Sequence, residues 1–215
     1  MRRYARLARP VFIVLALVAS TGAGVYAVRT TAVARQGWHL DIDAAMDAVG
    51  VAPGMFVGEA GAGDGYFTLP MSRRVGPSGA VYANDISRRA LDSLAANARR
   101  EGLSNIQTVE GAVDDPRFPR RDLDLIVIVH AFHDFSQPVE WLVNARKYLR
   151  PGGAIAIIDR DPSQGAESHF WTRERILGHA ASAGFEMTKL VDTISSHLII
   201  VLRPRAAAGD RRAPR

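Results

Sequence analysis

Residues 57–65 read Val57-Gly58-Glu59-Ala60-Gly61-Ala62-Gly63-Asp64-Gly65. An apolar strand expected over Met55–Glu59 enters this loop, and a helix expected over Gly65–Val75 leaves it. Glycines between a strand and a helix let the backbone turn tightly and approach a ligand without a Cβ in the way. In open α/β sheets, ligands bind at the carboxyl ends of the strands, where the strand order reverses. The spacing narrows the ligand. A dinucleotide fingerprint needs G-x-G-x-x-G, whereas counting from Gly61 gives G-x-G-x-G, with Tyr66 where the last glycine should stand. Glu59 adds a carboxylate beside the glycines, which suits a cationic amino-acid group and would repel a pyrophosphate.

The elements downstream repeat the same rhythm. Strands are expected over Val81–Asp85, Ile106–Glu110, Leu123–Val129 and Ala154–Asp159. Between them, helices are expected over Arg88–Arg100 and Val139–Leu149, the latter stopped by Arg150-Pro151-Gly152-Gly153. The run Leu123–Val129 (LDLIVIV) is apolar almost throughout, as a central parallel strand covered on both faces should be. A helix over Thr172–Ala183 and two closing strands, Phe185–Asp192 and His197–Leu202, complete the domain, and a short helix in Asp41–Gly50 precedes it. The alternation implies an α/β fold with one doubly wound, mostly parallel sheet and helices on both faces.

Asp85 ends the strand after the glycine loop. A carboxylate there can accept hydrogen bonds from both hydroxyls of a ribose. His130, His133 and Asp134 follow the strand Leu123–Val129 on the same edge. A histidine has the near-neutral pKa that a general base needs, and His133 is the first choice for that role. His130 is expected to line the ligand pocket. Asp159 and Asp161 end the fifth strand and with His130 raise the question of a Mg²⁺ site, but His130 stands where such a site needs an acid, so no metal is expected. His169-Phe170-Trp171 either forms a lid over the site or packs on the sheet.

The set PGMFVGEAGAGDGYFT, VYANDIS, LDLIVIVHAFHDF, YLRPGG, IAIID and AGFE, in this order, resembles the class I S-adenosylmethionine-dependent methyltransferases, especially the small bacterial ubiquinone/menaquinone type. The resemblance runs from about Asp41 to Arg203. It implies a Rossmann-like, seven-stranded sheet with an antiparallel final strand, and S-adenosylmethionine as cofactor. It implies that Gly61, Gly63 and Gly65 cradle the methionine part, that Glu59 lies near its amino group, that Asp85 holds the ribose and that Ile86 packs on the adenine. Ala112, Val113 and His130 complete the cofactor site. The family often has an acid after Gly111; Ala112 stands there, so the adenine contact is expected from backbone or from Asp114. By the same resemblance, arsenic methylation needs cysteines, and the chain has none. The function implied is methyl transfer to a small molecule, with O-, N- or C-methylation open and with His133, His130 and Asp134 as candidate catalytic groups. The alternatives are a non-catalytic binder of S-adenosyl ligands and, against the loop spacing, an NAD-dependent oxidoreductase.

Length and charge set the remaining bounds. The 215 residues suit one such domain with appendages. The net charge of +5 is unevenly spread. Six arginines and no acid lie in residues 1–35, and five arginines with Asp210 in residues 203–215. Taking these from 27 basic and 22 acidic residues leaves 16 and 21 between residues 36 and 202, a net −5. A nucleic-acid backbone needs a basic patch on the fold itself, so no nucleic-acid partner is expected. Four arginines precede the apolar run Val11–Ala19, and small residues follow through Ala27. Residues 1–28 therefore read as a signal peptide or a membrane anchor, with membrane association through residues 11–28. The bias of arginines before the run places the domain outside the cytoplasm; without a functional segment the chain would be cytoplasmic. Residues 29–40 read as a linker, 41–203 as the methyltransferase domain, and 204–215 as a disordered basic tail.

Overall fold

The structure, a computed structural model, describes residues 39–164, 169–194 and 196–206. The segments expected to be a targeting sequence, most of the linker, and the tail beyond residue 206 lie outside the described residues. Five α-helices and seven strands alternate in it: α1 (Ile42–Val49), β1 (Phe56–Ala60), α2 (Thr68–Val75), β2 (Ala80–Asp85), α3 (Arg88–Arg100), β3 (Ile106–Glu110), β4 (Leu123–Val129), α4 (Pro138–Ala145), β5 (Leu149–Arg160), α5 (Arg173–Ser182), β6 (Phe185–Ile194) and β7 (His197–Pro204). Among these residues no helix is long and apolar enough to cross a membrane.

The strands form one sheet in the order β3-β2-β1-β4-β5-β7-β6. β1 pairs in parallel with both β2 and β4, so the strand order reverses beside β1, the strand that leads into the glycine loop. β7 runs antiparallel to β5 and to β6. The sheet is therefore the expected one, with the antiparallel strand inserted between its neighbours.

Both faces of the central strands are buried. Ile126, Ile128, Ile155 and Ile157 pack with Trp141 and Leu142 of α4 and with Ile176 of α5. Leu125, Val127, Ala156 and Ile158 pack with Met46 of α1 and with Met71 and Val75 of α2. That is why β4 is apolar at nearly every position: a side chain facing either way meets a helix. Asp124 is the polar exception, and its carboxylate is used, accepting from Phe56 N–H at 2.7 Å and from Arg150 Nε at 2.7 Å.

Several boundaries differ from the expected ones. α2 starts at Thr68 rather than Gly65, because Gly61, Gly63 and Gly65 all have positive φ (72°, 56° and 105°) and cannot continue a right-handed helix. α4 stops at Ala145, and a 3₁₀ turn over Arg146–Tyr148 leads straight into β5. The turn Arg150–Gly153 belongs to the start of β5, where the register against β4 shifts between Leu123 and Leu125. β7 runs through Pro204, one residue beyond the expected domain end. The caps follow the sequence: Thr172 Oγ1 accepts from Arg175 N–H at 3.3 Å, and Gly50 ends α1 in the left-handed region.

Candidate active site

A cavity of about 300 Å³ opens at the carboxyl ends of β1, β2 and β4. Of the residues expected there, Gly61, Asp85, Ile86, Ala112, Val113, His130 and Asp134 line it. Asn84, Ala131, Phe135, Ser136 and Trp141 also line it and were not expected from the sequence.

The three glycines divide the work. A Cβ on Gly61 would run into Ala131 Cβ, so only glycine lets the loop lie against the segment after β4. Gly63 has open space around it; what it contributes is its N–H, which donates to Asp85 Oδ2 at 2.9 Å from a left-handed backbone. Gly65 faces away from the cavity, with Leu69 Cγ and Leu94 Cγ at 3.1 and 3.3 Å from where its Cβ would be. Gly65, expected with the other two to cradle the methionine part, also lets α2 and α3 pack closely beneath the loop.

Asp85 closes the cavity at the end of β2. Its Oδ1 accepts from Ser87 N–H at 2.8 Å and its Oδ2 from Gly63 N–H at 2.9 Å. Two fixed backbone donors hold the carboxylate in place, and each oxygen keeps a further lone pair for a ligand. Ile86 and Val113 stand exposed at the rim, 63% and 46% accessible, and give it apolar surface. Ala112 is fixed by its N–H, which donates to Asp115 O at 2.8 Å. Asp114 is not among the lining residues; its carbonyl accepts from Asn144 Nδ2.

Glu59, expected near the amino group of the cofactor, lies at the base of the loop. It is buried, 2% accessible, and is not among the lining residues. Thr68 Oγ1 donates to its Oε2 at 2.5 Å. Burial pushes its pKa up to about 8, the Thr68 hydrogen bond opposes this, and the nearby charge of Asp85 adds to it. At neutral pH its carboxyl is therefore largely protonated, held at the base of the glycine loop.

The histidines fall into two separate units. His130 adopts a left-handed conformation, φ 50°, with its N–H donating to Ile158 O at 2.9 Å. Its Nε2 meets Nε2 of the fully buried His197 at 2.7 Å. The ring centroids are 4.8 Å apart with planes inclined by 27°. That separation, with the nitrogens in contact, describes two rings meeting edge on through one shared proton. Burial, then the facing His197, lowers the pKa of His130 to about 4, so it is neutral at pH 7. The aromatic ring of Tyr66 lies on its other side, 6.4 Å between centroids.

His133, the first choice as base, is not on the cavity wall. Its Nδ1 is 2.7 Å from Oδ2 of buried Asp159, and its Nε2 is 3.6 Å from Asp134 Oδ2. Phe170 packs edge-on against its ring at 4.5 Å. Burial alone would lower its pKa, but the hydrogen bond and charge of Asp159, with the charge of Asp134, outweigh this and raise it. With Nδ1 engaged by Asp159 and the ring off the cavity wall, His133 is not placed to take a proton from a ligand there. It orients Asp134, whose exposed carboxylate does line the cavity. The polar groups presented to a ligand after β4 are thus His130, Asp134 and Ser136. A finer reading of the segment HAFHDFS could have found Ser136 and Phe135, because they continue the same turn; buried Trp141, on α4, has no such signal.

Asp159 and Asp161 do not converge. Asp159 is turned to His133, and Asp161 holds the turn at Pro162–Gln164 by accepting from Ser163 N–H at 2.9 Å. Among the described residues, no three His, Cys, Asp or Glu side chains are arranged to hold a metal ion. Trp171 packs on Phe132 in the core, 5.5 Å between centroids, and Phe170 is buried, so these two aromatics take the packing role rather than that of a lid.

Residues 57–153 match the family described as a methyltransferase domain. The chain is 28% identical over 163 residues to the nocamycin O-methyltransferase of Saccharothrix syringae, covering 76% of this chain and 54% of that protein. It is 26% identical over 114 residues to the demethylmenaquinone methyltransferase of Lactococcus lactis, covering 53% and 45% respectively. The chain thus spans about half the length of these curated relatives. The fold superposes on a crystal structure of a SAM-dependent methyltransferase from Aquifex aeolicus with a TM-score of 0.70 at 21% identity, covering 76% of this chain and 89% of that one. The matched segment begins in β1, contains the glycine loop, Asp85 and the turn after β4, and ends at the start of β5. That segment matches a methyltransferase domain, and the sheet built around it has the fold of the SAM-dependent methyltransferase it superposes on.

Proposed function

We propose that this protein binds S-adenosylmethionine in the cavity beside Gly61 and Asp85 and transfers its methyl group to a small molecule. The observation that carries this is Asp85: a carboxylate held by two backbone N–H groups in the wall of a cavity that apolar Ile86 and Val113 also line. Such a site fits a nucleoside, with the ribose hydroxyls donating to Asp85 and the base lying between the two apolar side chains. Gly61 leaves room for the chain that leads from the ribose to the amino-acid end. When bound, S-adenosylmethionine supplies an electrophilic methyl group on a sulfonium.

The protein's own contribution is position and proton management. An in-line displacement is accelerated mainly by holding the two partners in register and excluding water. His130 stays neutral, so it does not repel a cationic donor, and its Nδ1 is the ring nitrogen left for a proton of the acceptor. Asp134, held by His133, can accept a hydrogen bond from a hydroxyl or amine. The relatives named above are methyltransferases of nocamycin and demethylmenaquinone, and an acceptor of that small-molecule class suits a domain without a large insertion.

Calorimetric titration of the full chain with S-adenosylhomocysteine and, in parallel, with NAD tests the reading. Binding of the first alone is expected; binding of NAD alone would overturn it. Residues 1–28 are further proposed to bring the chain to a membrane or across it, on the strength of their arginines and apolar run. Retention of the full-length protein in the membrane fraction through high-salt washing would support an anchor, and a mature N-terminus near Val28 a cleaved signal. Soluble protein with an intact Met1 would defeat both.

A further inference from the structure

The end of the sheet opposite the active site carries a second concave site. β5 begins with Arg150-Pro151-Gly152-Gly153, and β7 ends with Arg203-Pro204. Between them lies a cavity of about 330 Å³, as large as the one at the methyl-transfer end. Arg146, Arg150 and Arg203 line it, with the backbone of Gly152 and Gly153, and no acidic residue does. The part of the chain between residues 36 and 202 is net acidic, so a hollow edged by three guanidiniums departs from its surroundings.

The three arginines are not neutralised alike. Arg150 is fixed: its Nε donates to Asp124 Oδ1 at 2.7 Å, and its Nη1 to Pro151 O at 3.2 Å. Arg146 donates through Nη2 to a neutral acceptor, the Arg205 carbonyl, at 3.2 Å. Among the described residues, neither Arg146 nor Arg203 makes an ion pair within 4.0 Å. The acid nearest in register is Glu186, opposite Arg203 on β6, and it forms no such pair. The floor is closely packed, because a Cβ on Gly153 would lie 2.9 Å from Leu123 O and 3.0 Å from Arg150 O. Like charges gathered in one hollow repel one another, and a bound anion removes that cost. Guanidinium forks match phosphate oxygens two at a time.

We propose that this groove binds a small molecule bearing a diphosphate, at a site separate from the methyl-transfer cavity. Two guanidiniums without carboxylate partners, lining one hollow, suit two linked phosphate groups better than one. Arg150, already held by Asp124, frames the site.

The test is calorimetric titration of the full chain with inorganic pyrophosphate at low salt, on three proteins. These are the wild type, the groove variant Arg146→Gln/Arg203→Gln, and the charge-matched variant Arg99→Gln/Arg100→Gln on the last turn of α3. Saturable binding is expected for the wild type and for the α3 variant, with the groove variant weaker by roughly tenfold or more, the loss expected of charge-assisted hydrogen bonds. The affinity for S-adenosylhomocysteine should be the same in all three, with and without pyrophosphate. Absence of saturable binding to the wild type overturns the proposal. So does an equal loss in both variants, which would mean diffuse charge attraction, and so does competition between pyrophosphate and S-adenosylhomocysteine, which would put the anion in the other cavity.

Discussion

Replacing Asp85 by alanine isolates what the end of β2 does. In the free protein the substitution removes two acceptors, from Gly63 N–H and Ser87 N–H. Ser87 is exposed and its N–H can turn to water; Gly63 N–H is partly buried, so the cost to folding is about 1 kcal/mol. For a nucleoside ligand the loss is larger. Two ribose hydroxyls lose a charged acceptor, each such bond is worth about 1.5–3 kcal/mol, and the two are not additive, so the affinity falls by roughly 2–4 kcal/mol. At about 1.4 kcal/mol per factor of ten, that is roughly thirtyfold to several hundredfold. Asp85→Asn keeps one acceptor oxygen without the charge and should fall between. The assay is calorimetric titration of wild type, Asp85→Asn and Asp85→Ala with S-adenosylhomocysteine, with thermal melting to separate binding from folding. An Asp85→Ala protein that melts normally and binds within twofold of wild type would refute the assignment of the ribose to Asp85.

Four further outcomes are expected. Glu59, with a folded pKa of about 8 against 4.5 for the free side chain, takes up a proton on folding, so its contribution to stability is full below the unfolded value and lost as pH rises to the folded one; Glu59→Gln should flatten the decline in melting temperature between pH 5 and 8, and an unchanged pH dependence would contradict the burial argument. Gly61→Ala should destabilise the fold more than Gly63→Ala, since both sit at positive φ but only the first meets Ala131, and Ala131→Gly should restore part of the loss in Gly61→Ala; equal melting temperatures for the two single variants would sink this. Asp159 favours the charged form of His133 and raises its pKa, so the stabilising effect is present below the unfolded pKa and disappears as pH rises through the raised folded value; its NMR titration midpoint should drop in Asp159→Asn, and a midpoint that stays put would show that the carboxylate is not its partner. His130, kept neutral by burial and by His197, should gain basicity when His197 is replaced by Phe, read as an upward shift in the same titration, and no shift would mean that the pair is not coupled.

The parts of this protein legible in its sequence are those governed by local rules. Glycine at positive φ, an apolar run covered on both faces, and a threonine before a helix each declare themselves within a few residues. Hence the strand order's reversal beside β1, the place of Asp85 and the cap at Thr172 could be expected. What sequence could not give is which way a side chain turns once its element is docked. Glu59 and Gly65 flank the loop in sequence, yet the loop curls so that both face inward, one to Thr68 and one to Leu69 and Leu94. His130 and His133 stand three residues apart, near enough to suggest one site. Between them Ala131 abuts Gly61 and Phe132 enters the core, so the two rings leave on different sides. Their partners, His197 on β7 and Asp159 on β5, come from strands that lie side by side only because the last strand inserts antiparallel.

That insertion has a consequence for the chemistry. β7 sets His197 opposite Arg160 and Leu198 opposite Asp159. The Asp159 carboxylate is therefore close to both histidine units, and its charge favours protonation of each. On His133 this wins against burial, and the ring is cationic to higher pH. On His130 burial and the facing imidazole win, and the ring stays neutral. One buried carboxylate thus acts on a histidine off the cavity wall, whose charged form it favours, and on a histidine in the wall that stays neutral. For a donor that carries a positive sulfonium this is the favourable arrangement: the neutral ring borders the cavity, together with the exposed Asp134 carboxylate. Removing the buried charge, by Asp159→Asn, should cost affinity for S-adenosylmethionine more than for S-adenosylhomocysteine, which lacks the sulfonium charge, if Asp159 offsets charge near the sulfonium. Equal losses for the two ligands would show that Asp159 acts on the fold alone.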